Sequence, residues 1–170
     1  MKIFITGMPG CGKSTFGRKV AREMELEFFD LDKEIINSEQ RPITEIFEIE
    51  GEEYFRKIES RLLRDVTLNN HNFIMATGGG APCFHNNMDF MNENGHTIYI
   101  DTPIEILIER LSLRGIEKRP LIKKIGQENL LEGLTNKLNN RLPYYRKAKA
   151  SFKYNLALET DIINYLRSGI

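Results

Sequence analysis

Short apolar runs alternate with longer stretches of helical period along the whole chain. Lys2–Thr6 reads as a strand, and residues 14–24 then place Phe16, Val20 and Met24 four apart, as one helix face does. Residues 27–31 read as a second strand. Residues 33–69 are polar and amphipathic, with room for two or three helices, broken early by Pro42. Residues 72–76 read as a third strand, ended by Gly78-Gly79-Gly80. His96–Asp101 reads as a fourth strand, and residues 103–113 as a helix with proline in its first turn. Residues 114–126 are loop-like and basic, residues 127–147 helical, and residues 151–156 a fifth strand before a closing helix at 159–167. Strands alternating with helices imply a parallel sheet covered on both faces. The expectation is one α/β domain of about five strands over residues 1–170.

Composition narrows the function classes. With 24 basic and 24 acidic residues among 170, the net charge is zero, which removes the usual electrostatic case for a nucleic-acid or membrane-surface partner. The apolar runs are too short to span a bilayer. Met1–Thr6 is too short, and too soon followed by glycine, to read as a signal peptide. The two cysteines, Cys11 and Cys83, make neither a disulfide framework nor a metal-ligand spacing. His71, His85 and His96 show no such spacing either and read as loop or surface residues. A cytoplasmic monomer is expected.

The strongest chemical signal is Gly7-Met8-Pro9-Gly10-Cys11-Gly12-Lys13-Ser14, which matches G-x-x-x-x-G-K-[ST] between a predicted strand and a predicted helix. Glycines let backbone N–H groups curl around phosphate oxygens without Cβ clashes. Lys13 reaches the β and γ phosphates, the Ser14 hydroxyl is a ligand for Mg²⁺, and the following helix adds the positive end of its dipole. Gly10, Cys11, Gly12, Lys13, Ser14 and Thr15 are thus the candidate contacts to the phosphates of a nucleotide. A guanine-specific switch would carry N-K-x-D, but Asn136-Lys137-Leu138-Asn139 lacks the carboxylate and lies inside a predicted helix. A small-molecule kinase fits the size best. Cys11 also places a thiol in a loop rich in N–H donors, where a lowered pKa and alkylation blocked by MgATP are expected.

Five further features follow the phosphate loop. Asp30 and Asp32 stand two apart at a strand end, and Gly51-Glu52-Glu53-Tyr54-Phe55-Arg56-Lys57-Ile58-Glu59 comes next. Then come Gly78-Gly79-Gly80, Arg119-Pro120-Leu121 in the basic loop, and Arg141-Leu142-Pro143-Tyr144-Tyr145. Singly, each has a plainer reading: a helix cap or solvated turn, an exposed salt bridge, a flexible turn, a solvated basic loop. In this order and spacing, from Lys2 to about Ala150, they resemble the shikimate kinases.

The resemblance implies a P-loop NTPase fold of the nucleoside-monophosphate-kinase type, with a five-stranded parallel sheet in order 2-3-1-4-5. It implies a substrate-binding helical segment at about 33–61 and a lid at about 114–126. It further implies phosphoryl transfer from ATP, with Mg²⁺, to the 3-hydroxyl of shikimate on the route to chorismate and aromatic amino acids. Asp32 matches the carboxylate that holds the substrate hydroxyls and accepts a proton, and Asp30 the position that orients Mg²⁺ through water. Arg56 and Arg141 match the two arginines that hold the shikimate carboxylate, where a planar guanidinium offers two parallel hydrogen bonds and lysine does not. Glu59, three residues beyond Arg56 on one helix face, can hold that arginine in place. Gly78, Gly79 and Gly80 let backbone N–H groups approach the substrate. Arg119 matches the lid arginine that closes on the phosphates, and Arg114 is a candidate for contact with the nucleotide. Lys13, Asp32 and Arg119 are thus the candidate catalytic residues.

Pro9 gives the loop a look shared with adenylate kinases, although the chain is short for them and the arginine pair has no role there. Two other functions stay open on the sequence: a kinase for another polyol acid such as gluconate, and an ATP-binding protein without transfer activity.

Overall fold

Along the chain come β1 (Lys2–Thr6), α1 (Lys13–Glu23), β2 (Glu27–Asp30), α2 (Leu31–Glu39), α3 (Ile43–Ile49) and α4 (Gly51–Asn69). There follow β3 (Phe73–Ala76), a 3-10 turn at Ala81–Cys83, α5 (Asn87–Asn94), β4 (His96–Asp101) and α6 (Ile104–Arg114). The chain closes with α7 (Leu130–Tyr145), β5 (Ala150–Lys153) and α8 (Leu158–Arg167). This computed structural model describes residues 1–114 and 129–169, without the side chain of Arg114. The proposed lid and Arg119 lie outside the described residues.

All strand pairs are parallel and the sheet order is β2-β3-β1-β4-β5, the order the resemblance implied. Ile3 of β1 pairs in register with Ile74 on one side and His96 on the other. Because side chains alternate along a strand, β1 feeds two cores. Ile3 and Ile5 join Ile74, Ile98, Val20, Leu107 and Leu134 on one face. Phe4 joins Phe73, Met75, Leu31, Ile46 and Leu63 on the other. Fully burying each such side chain stabilises by about 1.5–3 kcal/mol. Both faces being covered, β1, β3 and β4 are buried almost end to end, as a central strand of a parallel sheet is.

Local chemistry sets the ends. Pro42 stops the run after α2 and caps α3, so the amphipathic stretch resolves into three helices. In α4 the positions Phe55, Glu59, Leu63 and Thr67 recur every four residues and, with Ile58, face inward. That periodicity carries Arg56 and Glu59 into the interior along with the apolar residues. No described helix is long and apolar enough to cross a membrane.

Three readings need correction. Helix α5 and the 3-10 turn were not anticipated; Met88 and Met91, three apart and buried, dock α5 on the core. The fifth strand stops at Lys153, and Leu156, expected inside it, is fully exposed. His96 opens β4, as the strand reading had it, but its ring is half-buried and not a surface group, with Nε2 2.8 Å from the Tyr165 hydroxyl.

Candidate active site

The carboxyl ends of β1, β2 and β3 meet at one open cleft, where ligands bind in open parallel sheets. Gly10, Gly12, Lys13, Ser14, Thr15, Asp30, Asp32, Thr77 and Gly79 line it. The phosphate loop and both aspartates therefore share one space.

The loop is shaped by its glycines. Gly10 has φ 87° and Gly12, at the N-cap of α1, φ 101°, a region other residues enter at a cost. A Cβ at Gly12 would also lie 2.6 Å from the Phe16 ring. Lys13 is buried, and its Nζ donates to the carbonyls of Gly7 at 2.9 Å and Met8 at 3.0 Å. Arg110 supports the same loop from α6, donating to the carbonyls of Gly10 and Cys11 at 3.3 Å while lying 4.5 Å from the Tyr154 ring centroid.

Cys11 departs from expectation. Its side chain turns inward and is fully buried in the core, 3.7 Å from Lys13 Nζ. The backbone of Cys11 belongs to the phosphate loop, but its thiol is not presented to solvent.

Asp30 ends β2 and precedes α2, yet its carboxylate makes no capping hydrogen bond, so the helix-cap reading is not realised. Asp32 follows in the first turn of α2. Arg56 and Glu59 form a buried ion pair: Arg56 Nη1 donates to Glu59 Oε2 at 2.6 Å. Neither is a solvated surface group, since Arg56 is 3% exposed and Glu59 0%. Glu52 meets the other edge of the same guanidinium, at 3.0 Å from Nη2 and 3.3 Å from Nε. Burial pushes the Glu59 carboxyl up to about 7, against the lowering pull of Arg56; Asp32 adds to the rise and Arg141 opposes it. Glu59 Oε1 is buried without a hydrogen-bond partner.

Arg141 reaches this cluster from α7 and is also buried. Its charge and that of Arg56 both act on Cys83, although burial dominates and pushes that thiol up to about 11. Four residues along α7, the Tyr145 hydroxyl donates to the carbonyl of Gly79 while the ring stacks on Tyr99 at 5.0 Å.

The glycine run has a role the sequence did not suggest. A Cβ at Gly78 would collide with Glu59 Oε1 and lie 3.2 Å from Asp32 Oδ1. One at Gly79 would lie 2.7 Å from Pro9, and one at Gly80 2.5 Å from Arg56 Nη2. Each glycine admits a different part of the site against the backbone.

The structure thus brings together the phosphate loop, Asp30, Asp32, Arg56, Gly78, Gly79, Gly80 and Arg141. Arg114 closes α6 with its side chain outside the described set. Sequence reasoning missed Thr77, Arg110 and Tyr145 as parts of the site. Tyr145 could have been found, lying one helical turn beyond Arg141 on the same face; Arg110 meets Tyr154 only through the tertiary fold.

The family model described as shikimate kinase matches residues 9–167. A shikimate kinase of Azobacteroides pseudotrichonymphae is 39% identical over 169 residues, covering 99% of each chain. Among solved structures, the shikimate kinase of Bacteroides thetaiotaomicron superposes with a TM-score of 0.87 at 31% identity, covering 99% of this chain and 97% of that one. The Acinetobacter baumannii shikimate kinase, solved in complex with shikimate, also gives 0.87, at 33% identity over 98% of this chain and 90% of that one.

Proposed function

The chain belongs to the shikimate kinase family, and from that premise we propose that it transfers the γ-phosphoryl group of ATP to the 3-hydroxyl of shikimate, on the route to chorismate and aromatic amino acids. The observation that carries the reading is a buried arginine cluster, Arg56 with Arg141, beside two aspartates and a phosphate loop. A dry pair of guanidiniums is costly to build and suits an acceptor bearing a carboxylate.

Little covalent chemistry falls to the protein in phosphoryl transfer, so its residues position groups and neutralise charge. Backbone N–H groups of Gly10–Thr15 cradle the phosphates, and Lys13 turns from its own loop carbonyls toward the β and γ oxygens. Asp32 orients the acceptor hydroxyl and takes its proton, help typically worth about 10²–10⁴-fold. Arg56 and Arg141 hold the acceptor carboxylate, and Glu59 holds Arg56. Arg119, in the segment outside the described residues, completes the charge around the phosphates, with Arg114 toward the nucleotide.

Ser14 and Asp30 line one cleft, and the described residues contain no cluster of three or more His, Cys, Asp or Glu that could cage a metal. That donor set fits Mg²⁺, which keeps several waters and takes few protein ligands, Ser14 directly and Asp30 through water. When bound, Mg²⁺ offsets the charge of the phosphates.

Release of ADP, coupled to an indicator reaction, tests the proposal with shikimate, gluconate, AMP and no acceptor. Shikimate should drive release well above the other three. Equal or faster turnover with gluconate would transfer the reading to another polyol acid, and no turnover with any acceptor would leave an ATP-binding protein.

A further inference from the structure

We propose that Phe84 is a positioning residue of the acceptor site, whose ring fixes the Arg56 guanidinium in the orientation that meets the acceptor carboxylate. The inference rests on the reading above that Arg56 binds that carboxylate.

A guanidinium has five N–H groups in one plane. In Arg56, Glu52 takes one from Nε and one from Nη2, and Glu59 takes one from Nη1. One N–H on each terminal nitrogen is left for a further acceptor. Carboxylates hold the edges of the plane, but they do not fix its tilt. That is left to the rings: Phe84 lies with its centroid 4.3 Å from Arg56 Cζ, and Phe55 at 5.0 Å. The Phe84 contact is the closer, within the range where a cation meets a ring face favourably. Phe84 is itself 37% exposed while Arg56 is 3% exposed. A large apolar ring thus stands at the surface covering a buried charge.

The backbone that carries Phe84 is held against its own preference. His85 has φ 50° and Asn86 φ 55°, two consecutive left-handed residues, neither of them glycine. The Asn87 N–H donates to the Phe84 carbonyl at 2.9 Å, closing a turn of the type I′ kind. Such strain persists only where the surroundings over-determine it. Here they do. Arg64 Nη2 donates to the His85 carbonyl at 3.0 Å, and Nη1 to Asn87 Oδ1 at 2.7 Å and to the Ser60 carbonyl at 3.1 Å. Ser60 Oγ donates to Asn87 Oδ1 at 2.8 Å, and Asn87 Nδ2 to the Ala81 carbonyl at 3.0 Å.

Arg56, Ser60 and Arg64 stand four apart on one face of α4. The helix that presents Arg56 therefore also anchors, one and two turns on, the turn that lays Phe84 back over it. This partly buried polar network touches none of the residues given a role in the chemistry, and placing Phe84 accounts for it.

The test compares Phe84→Leu, Phe84→Tyr and the unmodified chain in the coupled ADP-release assay, with thermal melts. Leucine keeps apolar bulk but removes the π face; tyrosine keeps it. Phe84→Leu should raise KM for shikimate by about three- to tenfold, the range of a partly desolvated cation–π contact. Its kcat, its KM for ATP and its Tm should stay close to the unmodified values, and Phe84→Tyr should restore KM to within about twofold. A Phe84→Leu enzyme with unchanged shikimate KM, a parallel rise in KM for ATP, or a tyrosine variant no better than the leucine one would overturn the inference. Failure of the unmodified chain to phosphorylate shikimate would overturn the functional reading, and this inference with it.

Discussion

Alanine at Gly80 adds one methyl group where the backbone, with φ −95° and ψ −17°, suits any residue. No conformational strain arises, so the whole effect comes from what the methyl meets. Its carbon would stand 2.5 Å from Arg56 Nη2 and 2.8 Å from both Cζ and Nη1, against a contact optimum near 3.5–4.0 Å. The guanidinium must withdraw by about 1 Å. A surface arginine would do so freely, but this one is held by Glu59 at 2.6 Å and Glu52 at 3.0 Å. A misplacement of about 1 Å in a positioning group can cost up to ~10²-fold, and one lost charge-assisted hydrogen bond about 1.5–3 kcal/mol. We therefore expect kcat/KM for shikimate to fall about ten- to a hundredfold, or ~1.4–2.8 kcal/mol. Stability should drop by only about 1 kcal/mol, the low end for overpacking, because the atom in the way ends a side chain. The coupled assay gives KM for each substrate separately, and a thermal melt checks the fold. A normal shikimate KM in a folded Gly80→Ala enzyme would refute the reasoning, as would an equal rise in KM for ATP.

Lys13→Ala should lower kcat by more than tenfold, a barrier increase above ~1.4 kcal/mol, with the fold kept as judged by circular dichroism. Both thiols should resist iodoacetamide in the native protein: Cys11 is enclosed, and Cys83, pushed up to about 11, carries about one thiolate in a thousand at pH 8; rapid labelling at Cys11, located by mass spectrometry, would contradict the buried placement. Glu59 should make stability depend on pH. Its folded pKa of about 7 exceeds the unfolded value near 4.5, so the folded state binds the extra proton between the two. The stabilisation is complete below about pH 4.5 and lost as pH rises through about 7, amounting to about 3 kcal/mol. Urea unfolding at pH 5 and pH 8 should show that loss in the unmodified chain and not in Glu59→Gln; parallel losses in both would assign it elsewhere.

The centre of the sheet was legible because β1, β3 and β4 are buried on both faces, and such strands show as short apolar runs. β1 and β4 fall within the expected bounds. β2 ends one residue early because α2 begins at once at Leu31, a residue buried under the helix and apolar for that reason. Helix α5 was hidden by composition: Asn-Met-Asp-Phe-Met-Asn-Glu-Asn has weak helix formers at half its positions, and only the docking of Met88 and Met91 makes it a helix. Leu156 misled in the opposite way, since an apolar residue at a strand end need not be buried.

The site was legible by residue type and not by depth. Spacing placed Arg56 and Glu59 on one helix face, but nothing in the spacing distinguishes a solvated pair from one removed from water. The glycine run carries that missing information in a form only the fold reveals. Had the run merely given flexibility, one or two glycines would suffice and their order would not matter. Instead Gly78 meets the carboxylates of Glu59 and Asp32, Gly79 the proline of the phosphate loop, and Gly80 the guanidinium of Arg56. The three successive Cα atoms therefore set the spacing between the two carboxylates, the phosphate loop and the Arg56 guanidinium. A side chain at any one would push its neighbour away from the other two, so the close approach of these three parts of the site depends on the absence of three methyl groups.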